Sequence, residues 1–340
     1  MNILLSICIP TYNFGAFIGK TLESIAIQLC DGIEVIILDG GSTDNTPEVV
    51  YEFTKRYPSI KYYRFDEKGG IDRDIAKTVS LATGEYCWLF SSDDIMRLGA
   101  IEKLHAEIKS GDDVYLCKHS NCTKDMKVIS DEHPVLNLKE GCTFNLTNRA
   151  DRERYCSLAL SSEAFFSFMS GFIIKRSKWE SVPFNERFAE SCWAHAARIF
   201  ELIPSGISVK YITEVYLDKR GDNDSFLEGG VVKRLSIAVD GYHGIADYYF
   251  GHDSVEAFHI RRVIRNEYAF KNFLFMKLCA LENPDKEDVR QLSALVKKIN
   301  CDLSLKAWLT YWVYSFSPLS LLKLSRRASR MLRNLKNSGW

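Results

Sequence analysis

Two adjacent acids follow an apolar segment early in the chain and are the residues best suited to chemistry. Residues 86–90 are apolar, and Ser91, Ser92, Asp93 and Asp94 come directly after them. An apolar run without alternation is typical of a strand covered on both faces, as in parallel sheets. Acids that follow such a strand lie at its carboxyl end, where open α/β sheets bind ligands. Because hard divalent cations prefer carboxylate oxygens, we predict a Mg²⁺ or Mn²⁺ site with Asp93 and Asp94 as metal ligands.

The elements that must position these acids alternate regularly in the first third of the chain. Apolar strands are predicted at residues 4–9, 33–38, 60–65 and 86–90, and helices at 14–29, from the turn after Asp44 to 57, and at 69–82. Strands that alternate with helices through short loops predict an α/β fold with a parallel, doubly wound sheet.

The pattern weakens after residue 110. We predict strands at 113–117, 165–175 and 209–217, helices at 176–180 and 191–203, and mainly helix from 235 onward. No clear period marks residues 118–150.

Three further segments at predicted strand ends complete a recognisable set. They are Ile-Cys-Ile-Pro-Thr-Tyr-Asn at 7–13, Ile-Leu-Asp-Gly-Gly-Ser-Thr-Asp at 37–44 and Ala-Thr-Gly-Glu-Tyr at 82–86. Together with Ser-Ser-Asp-Asp at 91–94, they resemble the family 2 glycosyltransferases of GT-A fold. The resemblance is strong over residues 1–110, weaker to about 225 and absent after that. It implies a Rossmann-like, mostly parallel sheet and an enzyme that transfers a sugar from a nucleotide-sugar donor to a saccharide hydroxyl.

The resemblance assigns donor-binding roles to the ends of the first two strands. The family uses the loop of Pro10, Thr11 and Tyr12 around the nucleotide, although a simple turn also explains these residues. The family acid that matches Asp39 accepts hydrogen bonds from the base or ribose, although a helix-capping role is the alternative. The usual Asp-Asp-Gly-Ser has become Asp-Gly-Gly-Ser here, so one acid of that pair is missing.

Later polar residues extend the predicted donor site. Paired glycines open the third helix, where the backbone allows close approach and the helix start favours an anion. In that segment we predict that Asp72 contacts the base or donor sugar and that Arg73 meets the phosphates. Arg220, in the loop after the 209–217 strand, suits the diphosphate or an anionic acceptor. For Asp72 and Arg73 the alternative is a glycine turn with helix-capping acids. For Arg220 the alternative is a solvated loop.

The acidic motif departs from the family's Asp-x-Asp because Ser91 stands where the first acid usually lies. Ser92, Asp93 and Asp94 are assigned to the donor site, with Asp93 as direct metal ligand and Asp94 bound through water or in contact with the sugar. A metal there stabilises the charge of the leaving diphosphate.

A base is needed to accept the proton of the acceptor hydroxyl. In the family this is an acid of a later acidic pair at the start of a helix. Glu190 matches that place, but Ser191 follows it instead of a second acid. His195 lies about one turn further along and is the other predicted catalytic residue.

Length and resemblance together predict two regions. Residues 1–230 form the GT-A domain, with a nucleotide-sugar half at 1–110 and an acceptor half at 111–230. Residues 231–340 form a helical C-terminal extension. A formal net charge of zero gives no general attraction to nucleic acid, so we expect no nucleic-acid partner.

The last residues predict a membrane-facing segment. No acidic side chain follows Asp302, whereas residues 305–324 are rich in aromatic side chains and cations continue to Lys336. Aromatic residues with cations are typical of a helix on an anionic membrane surface. The alternative is a helix packed on the domain or on a second subunit in a homodimer. Ten cysteines without paired metal spacing, no basic leader at Met1 and no long apolar run predict a cytoplasmic protein, peripheral on the inner face of the membrane.

The finer resemblance is to bacterial O-antigen enzymes of the abequosyltransferase-like group. It implies a CDP-sugar donor carrying a 3,6-dideoxyhexose and a lipid-linked oligosaccharide acceptor. A UDP- or GDP-hexose donor is the alternative within the family, and a non-catalytic scaffold that binds sugar nucleotides is the alternative outside catalysis. A nucleotidylyltransferase would need a glycine- and lysine-rich loop after the first strand, which residues 10–13 are not. The family typically inverts configuration at the transferred sugar, but the missing second acid leaves inversion and retention open.

Overall fold

The computed structural model of this chain describes residues 3–283, 288–300, 305–318 and 323. The chain divides into two compact units, Met1–Asn223 and Asp224–Trp340. The predicted division of labour between residues 1–110, 111–230 and 231–340 stays a prediction.

The first unit carries the sheet. Its strands are β1 (Leu5–Thr11), β2 (Ile33–Asp39), β3 (Ile60–Arg64), β4 (Tyr86–Leu89), β5 (Ile95–Met96), β6 (Val114–Cys122), β7 (Val128–Ser130), β8 (Cys142–Asn145), β9 (Phe172–Lys175) and β10 (Ser208–Arg220). Its α-helices are α1 (Gly15–Ala26), α2 (Thr46–Arg56), α3 (Ile71–Ser80), α4 (Ala100–Glu107), α5 (Arg149–Leu158), α6 (Arg176–Glu180) and α7 (Ala194–Glu201).

The strands form one mixed sheet in the order β3-β2-β1-β4-β9-β6-β10-β5, with β7 beside β6 and β8 beside β10. β1 pairs in parallel with both β2 and β4, so the direction of winding reverses between β1 and β4. β9 is antiparallel to β4 and β6, whereas β6 and β10 are parallel. The carboxyl ends of β1, β2, β4, β6 and β10 therefore share one edge, and ligands of such sheets bind beside the reversal. The predicted α/β fold with a mostly parallel sheet is confirmed.

The apolar character of the central strands explains their position. Every residue of β1, β2 and β4 is buried. On the helical side, α1 adds Ile18, Leu22 and Ile25 to the core, at the spacing of one helix face. Burial on both faces leaves the strand ends as the places where polar side chains of these strands can meet a ligand.

Some predicted segments differ from the structure. The strand expected at 209–217 covers Ser208–Arg220, so Arg220 ends the strand and does not lie in the loop after it. The strand expected at 165–175 begins only at Phe172, because Phe166 has a φ of +64° and a short helix covers Met169–Gly171. The helix expected from residue 191 begins at Ala194, because Cys192 has a φ of +71°. Within 118–150, where no element was predicted, lie the end of β6, all of β7 and β8 and the start of α5.

The second unit is helical in its described residues, in agreement with the predicted C-terminal extension. Its helices are α8 (Val231–Phe250), α9 (Val255–Glu267), α10 (Phe270–Glu282), α11 (Val289–Asn300) and α12 (Leu305–Phe316). Among the residues described, none of the helices combines the length and the hydropathy needed to span a bilayer.

One charged residue interrupts the buried strands. Glu34 in β2 is 1% exposed. It accepts hydrogen bonds from Ser6 Oγ and from both N and Oγ1 of Thr83, each at 2.7 Å, and from Lys61 Nζ at 2.6 Å. Burial alone would raise the pKa of Glu34, but these donors outweigh it and lower the pKa. Glu34 thereby joins β1, β2, β3 and the loop before β4.

Glu34→Gln tests this junction. The substitution removes the charge that faces Lys61, so we expect the free energy of unfolding at neutral pH to fall by about 1–3 kcal/mol. Because the folded pKa is lowered, the contribution of the carboxylate is present above its unfolded pKa and disappears as pH falls through the folded pKa. The difference between the proteins in urea unfolding should therefore be largest at neutral pH and narrow in acid.

Glu52→Gln is the matched control, because Glu52 pairs with Lys55 on the exposed surface of α2. It should leave the urea midpoint unchanged. Equal midpoint shifts for the two variants would contradict the structural role of Glu34.

Candidate active site

The loops after β1 and β2 interlock through side chain to backbone hydrogen bonds. Asn13, with a φ of +59°, donates its backbone N–H to Ser42 Oγ at 2.8 Å. Asp44 accepts from Gly15 N at 3.0 Å and from Thr46 N at 2.9 Å, the first residues of α1 and α2. The two motifs at residues 11–15 and 39–46 therefore form one fixed platform beside the winding reversal.

Asp39 is buried in this platform at the end of β2. Its Oδ1 accepts from Ser42 N at 2.7 Å and its Oδ2 from Tyr62 OH at 2.5 Å. Burial and this hydrogen bond raise the pKa of the Tyr62 hydroxyl well above its ordinary value. Thr11 pairs with Asp39 across the ladder, and its buried Oγ1 has no hydrogen-bond partner among the described residues. A buried polar atom in this state is suited to an external ligand.

For three other predicted donor-binding residues, the structure shows burial or packing against neighbouring side chains. Pro10 is buried within the β1–β2 ladder beside Leu38. The Tyr12 ring is partly buried, with Lys68 Nζ 4.2 Å from its centroid. Ser92 is buried next to Asp93. Their donor contacts stay predictions.

Asp94 connects three segments of the sheet edge. Its Oδ1 accepts from Arg220 N of β10 at 3.0 Å, and its Oδ2 accepts from Ser170 Oγ at 2.7 Å. Ser170 Oγ in turn accepts from Ser91 N at 2.8 Å. Burial, and then the charge of neighbouring Asp93, raise the pKa of Asp94 to about 8. Two carboxylates are thus held side by side at the end of β4.

Asp93 lies in a polar cage. Ser91 Oγ donates to its Oδ1, and Asn223 Nδ2 donates to its Oδ2 at 3.0 Å. The serine that replaces the family's first acid therefore contacts the second one directly. Two adjacent carboxylates and a hydroxyl offer only oxygen ligands, which fit a hard divalent cation such as Mg²⁺ or Mn²⁺.

Arg220 supplies the positive charge of this region. Its Nε donates to the Asp93 carbonyl oxygen at 2.9 Å and its Nη1 to the Lys124 carbonyl oxygen. Its guanidinium carbon lies 5.0 Å from the centre of the Phe17 ring. The buried Nη2 has no hydrogen-bond partner within the described part of the chain. The geometry thus brings Arg220 to Asp93 and Asp94, and its predicted contact with the diphosphate stays a prediction.

The Asp72 carboxylate is engaged by backbone amides of a distant segment, and its predicted donor contact stays a prediction. Asp72 is 3% exposed, and its carboxylate accepts from Cys192 N at 2.8 Å and from Ala194 N at 2.9 Å. Burial raises the pKa of Asp72, and the amides of Ala194, Cys192 and Glu190 oppose that rise. The carboxylate therefore fixes the backbone of residues 190–194.

Glu190 is exposed on this fixed segment. Glu190 and Cys192 have φ values of +65° and +71°, a conformation that side chains other than glycine rarely adopt. Backbone strain of this kind persists only where surrounding contacts hold it and is common at functional sites. Asp72 provides such contacts, so the exposed carboxylate of Glu190 is carried on a constrained loop.

His195 is packed in the interior and not exposed as Glu190 is. Its Nε2 lies 3.0 Å from the Phe166 carbonyl oxygen, and its ring is nearly parallel to that of Phe172 at 6.2 Å. Burial lowers the pKa of His195 to about 4, although the contact with Phe166 opposes this. A buried imidazole of this basicity is poorly suited to accept a proton from a substrate, which disfavours the predicted base role.

Arg73 forms a bidentate ion pair with Glu186, with N–O distances of 3.1 and 2.8 Å. Both side chains are at least half exposed. They line an open cleft of about 530 Å³ that also includes Phe65, Gly69 and Asp74. The predicted phosphate contact of Arg73 stays a prediction. It would require the Arg73 guanidinium to leave Glu186.

Several residues of the site were not singled out from the sequence. Ser170 bridges Ser91 and Asp94, and Asn223 holds Asp93. Asn223 lies in the polar loop that follows Arg220, which is a usable signal. The sequence predicts a strand over 165–175, and nothing in that segment indicates the role of Ser170.

Comparison with known families agrees with this geometry. The glycosyl transferase family 2 profile matches residues 6–180, just over half of the chain, including β1, β2 and the acids after β4. The chain belongs to glycosyl transferase family 2. As a member of this family it is a glycosyltransferase, as the motifs predicted.

Relatives extend the similarity beyond the family segment. The chain is 29% identical over 306 residues to the abequosyltransferase RfbV of Salmonella typhimurium, covering 89% of this chain and 91% of that protein. It is 27% identical over 185 residues to a Campylobacter jejuni glucosyltransferase, GalNAc(5)-diNAcBac-PP-undecaprenol beta-1,3-glucosyltransferase, covering 54% of this chain and 55% of the relative.

Solved structures share the fold at low identity. Staphylococcus aureus TarS 1-349 in complex with UDP-GlcNAc has a TM-score of 0.63 and 17% identity, covering 96% of this chain and 92% of TarS. The mannosyltransferase PcManGT of Pyrobaculum calidifontis, in complex with GDP-Man and Mn²⁺, has a TM-score of 0.52 and 15% identity, covering 94% and 84%. These similarities confirm the GT-A fold.

Asp72→Asn tests whether Asp72 positions Glu190 or binds the donor. The asparagine presents an amide NH₂ group to a backbone N–H, so residues 190–194 should lose their fixed conformation. We expect kcat to fall by about 10- to 100-fold, as for a misplaced catalytic group, while the dissociation constant of the donor nucleotide stays unchanged.

Asp74→Asn is the control in the same helical turn, because the Asp74 carboxylate accepts from the backbone of Gly69, at the start of its own helix. It should retain kcat. A weaker donor affinity in Asp72→Asn, with kcat retained, would instead support the donor contact predicted from the sequence.

Proposed function

We propose that this glycosyltransferase uses a CDP-linked 3,6-dideoxyhexose and a lipid-linked oligosaccharide acceptor in O-antigen or other cell-surface polysaccharide synthesis. The observation that carries a nucleotide-sugar donor is the convergence of Thr11, Asp39, the two acids after β4 and Arg220 at one edge of the sheet. The similarity to an abequosyltransferase along most of both chains supports the choice of sugar.

The proposed donor lies across the carboxyl ends of β1 and β4. Its base and ribose meet the unpartnered Thr11 hydroxyl and the edge of Asp39, beside the Tyr12 ring. Its diphosphate faces the buried cationic group of Arg220, whose Nη2 is available for an additional hydrogen bond. Charge-assisted hydrogen bonds from arginine to phosphate are among the stronger polar contacts.

Asp93 and Asp94 are the residues that would hold the divalent metal. When bound there, Mg²⁺ or Mn²⁺ supplies positive charge to the diphosphate as it leaves. The protein's own contribution is to fix Asp93 between Ser91 and Asn223 and to hold Asp94 between Ser170 and β10.

Glu190 is the proposed base for the acceptor. As the acceptor hydroxyl oxygen bonds to the anomeric carbon, its proton passes to the Glu190 carboxylate and the bond from that carbon to the diphosphate oxygen breaks. Asp72 holds the loop that presents Glu190. An exposed carboxylate suits this task better than the buried ring of His195.

A thermal-shift panel with CDP, UDP, GDP and dTDP, each with and without Mn²⁺, tests the donor proposal. A ligand that binds only the native state raises the melting temperature. We expect the largest shift with CDP and Mn²⁺ and a loss of the Mn²⁺-dependent part in Asp93→Asn. A dominant shift with UDP or GDP would assign the enzyme to the hexose donors of the same family.

Glu190→Gln is the companion variant, since it removes the proposed base but leaves the donor site intact. It should keep the nucleotide-induced shift and lose sugar transfer by about 100-fold or more. No shift with any nucleotide would overturn the donor site. If both Asp93→Asn and Glu190→Gln keep the cellular function, the protein would instead be a non-catalytic scaffold.

We also propose that the protein associates peripherally with the inner face of the cell membrane through α12 and the cations after it. Trp308, Trp312 and Phe316 of α12 are 47%, 50% and 68% exposed, whereas Tyr314 is buried. Lys323 is exposed. The basic residues from Arg326 to Lys336, which were also predicted to face the membrane, lie outside the described residues. Half-exposed aromatic rings followed by cations suit an anionic surface that also presents a lipid-linked acceptor.

Vesicle flotation tests this association. A Trp308→Ala/Trp312→Ala variant should bind vesicles containing phosphatidylglycerol at least about tenfold more weakly, because two large apolar groups no longer enter the interface. Phe258→Ala, which removes a similarly exposed ring from α9, is the control and should bind as wild type does. Equal binding by all three proteins would contradict the proposal.

A further inference from the structure

Three side chains that can coordinate a metal converge in the first unit. His119 lies near the end of β6, His133 follows β7, and Glu163 lies in the short helix Ser162–Phe165. Their ligand atoms all lie within 4.8 Å of one another. His119 and Glu163 are buried, and the His133 side chain is 27% exposed. None of the three has a role in the proposed sugar transfer.

The surroundings of His119 leave one ring nitrogen without a suitable partner. Its Nδ1 lies 2.9 Å from the Ser120 carbonyl oxygen, which only accepts, so Nδ1 carries the hydrogen. Its Nε2 lies 3.0 Å from Glu163 Oε1 but makes no hydrogen bond to any described residue. With a hydrogen on Nδ1 only, the Nε2 lone pair would face a carboxylate, and either a second ring hydrogen or a metal cation between the two groups makes this contact favourable.

His133 is held in a different way. Its Nδ1 lies 3.1 Å from Asn121 Nδ2, which only donates, so Nδ1 accepts and the Nε2 hydrogen faces Glu163 Oε2 at 2.5 Å. The two imidazole rings are stacked at 4.8 Å with an interplanar angle of 12°. In each ring Nε2 faces the carboxylate and Nδ1 faces a polar group of β6. A metal-binding histidine usually donates the hydrogen of its second nitrogen, so metal binding by His133 would move the ring hydrogen to Nδ1 and turn the Asn121 amide to present its oxygen there.

We propose that His119, His133 and Glu163 bind one divalent transition-metal ion of the zinc class, with a further coordination position for solvent or substrate. Zinc lies about 2.0–2.2 Å from imidazole nitrogen and carboxylate oxygen, which places neighbouring ligand atoms about 3.0–3.5 Å apart. The 3.0 Å contact of His119 falls in this range, and the 2.5 Å contact of His133 requires a small opening. Imidazole ligands favour zinc over the oxygen-seeking ions expected at Asp93.

Lys219 gives the proposal a distinguishing test. Its Nζ lies 3.0 Å from Glu163 Oε1, so the ammonium competes with an ion for the same carboxylate. The side chain is 36% exposed and is therefore able to move into solvent. Lys219→Met should bind the metal at least as tightly as wild type. If the three residues form only an ion-pair network, Lys219→Met would remove a favourable contact with Glu163 and would not create metal binding.

The experiment is a metal analysis of the full chain, purified without a histidine tag. Mass spectrometry should find zinc at one equivalent per chain in wild type and in Asp93→Asn, and none in His133→Gln. Titration with Co²⁺ should give visible bands of a four- or five-coordinate imidazole site, with affinity at least about 100-fold lower in His133→Gln and Glu163→Gln. Free cysteines also bind Co²⁺, but their thiolate charge-transfer bands identify them.

Wild-type protein that binds neither zinc nor cobalt would overturn the proposal. So would unchanged metal affinity in His133→Gln, or cobalt spectra dominated by thiolate bands. His133 is partly exposed, and Glu163→Gln is the riskier variant for folding. The wild-type cobalt spectrum and the metal affinity of His133→Gln therefore test the proposed metal site even if Glu163→Gln does not fold.

Discussion

The buried carboxylate of Asp94 is the contact on which the geometry of the sheet edge depends. β4 and β10 are separated by β9 and β6, yet Asp94 accepts hydrogen bonds from the backbone of β10 and from Ser170 in the turn before β9. Arg220 reaches back to the Asp93 carbonyl oxygen. These contacts bring the ends of distant strands together and present Asp93 at their centre. Removal of this carboxylate would leave buried donors unpaired on both sides.

The acidic edge was predictable because a buried parallel strand has a simple sequence. An apolar run such as β4 is covered on both faces, so the polar residues that follow it must emerge at the sheet edge. The same reasoning placed Asp39 and Thr11 at neighbouring strand ends. These predictions required only local sequence and the alternation of strands and helices.

The remaining contacts depend on residues that are distant in sequence and lie in segments without a period. Asp72 and Cys192 are 120 residues apart, and no pattern in either segment indicates that one would fix the other. Asn223 holds Asp93 from 130 residues away. Position in the motif favoured a direct donor contact for Asp72, whereas the folded chain uses its carboxylate to hold backbone amides. His195 shows the same limit, because burial and not spacing determines its basicity.

The hydroxyl of Ser91 has a consequence for turnover. With serine in the first position, the two acids of the segment are adjacent instead of spaced as in Asp-x-Asp, and Asp94 is already engaged by Ser170 and Arg220 N. At the proposed metal site, much of the attraction for the cation would therefore come from the phosphates of the donor itself. The ion would then arrive as a complex with the sugar nucleotide and depart with the spent nucleotide, in the manner of a co-substrate. A site of this kind would hold the metal loosely and release it together with the product.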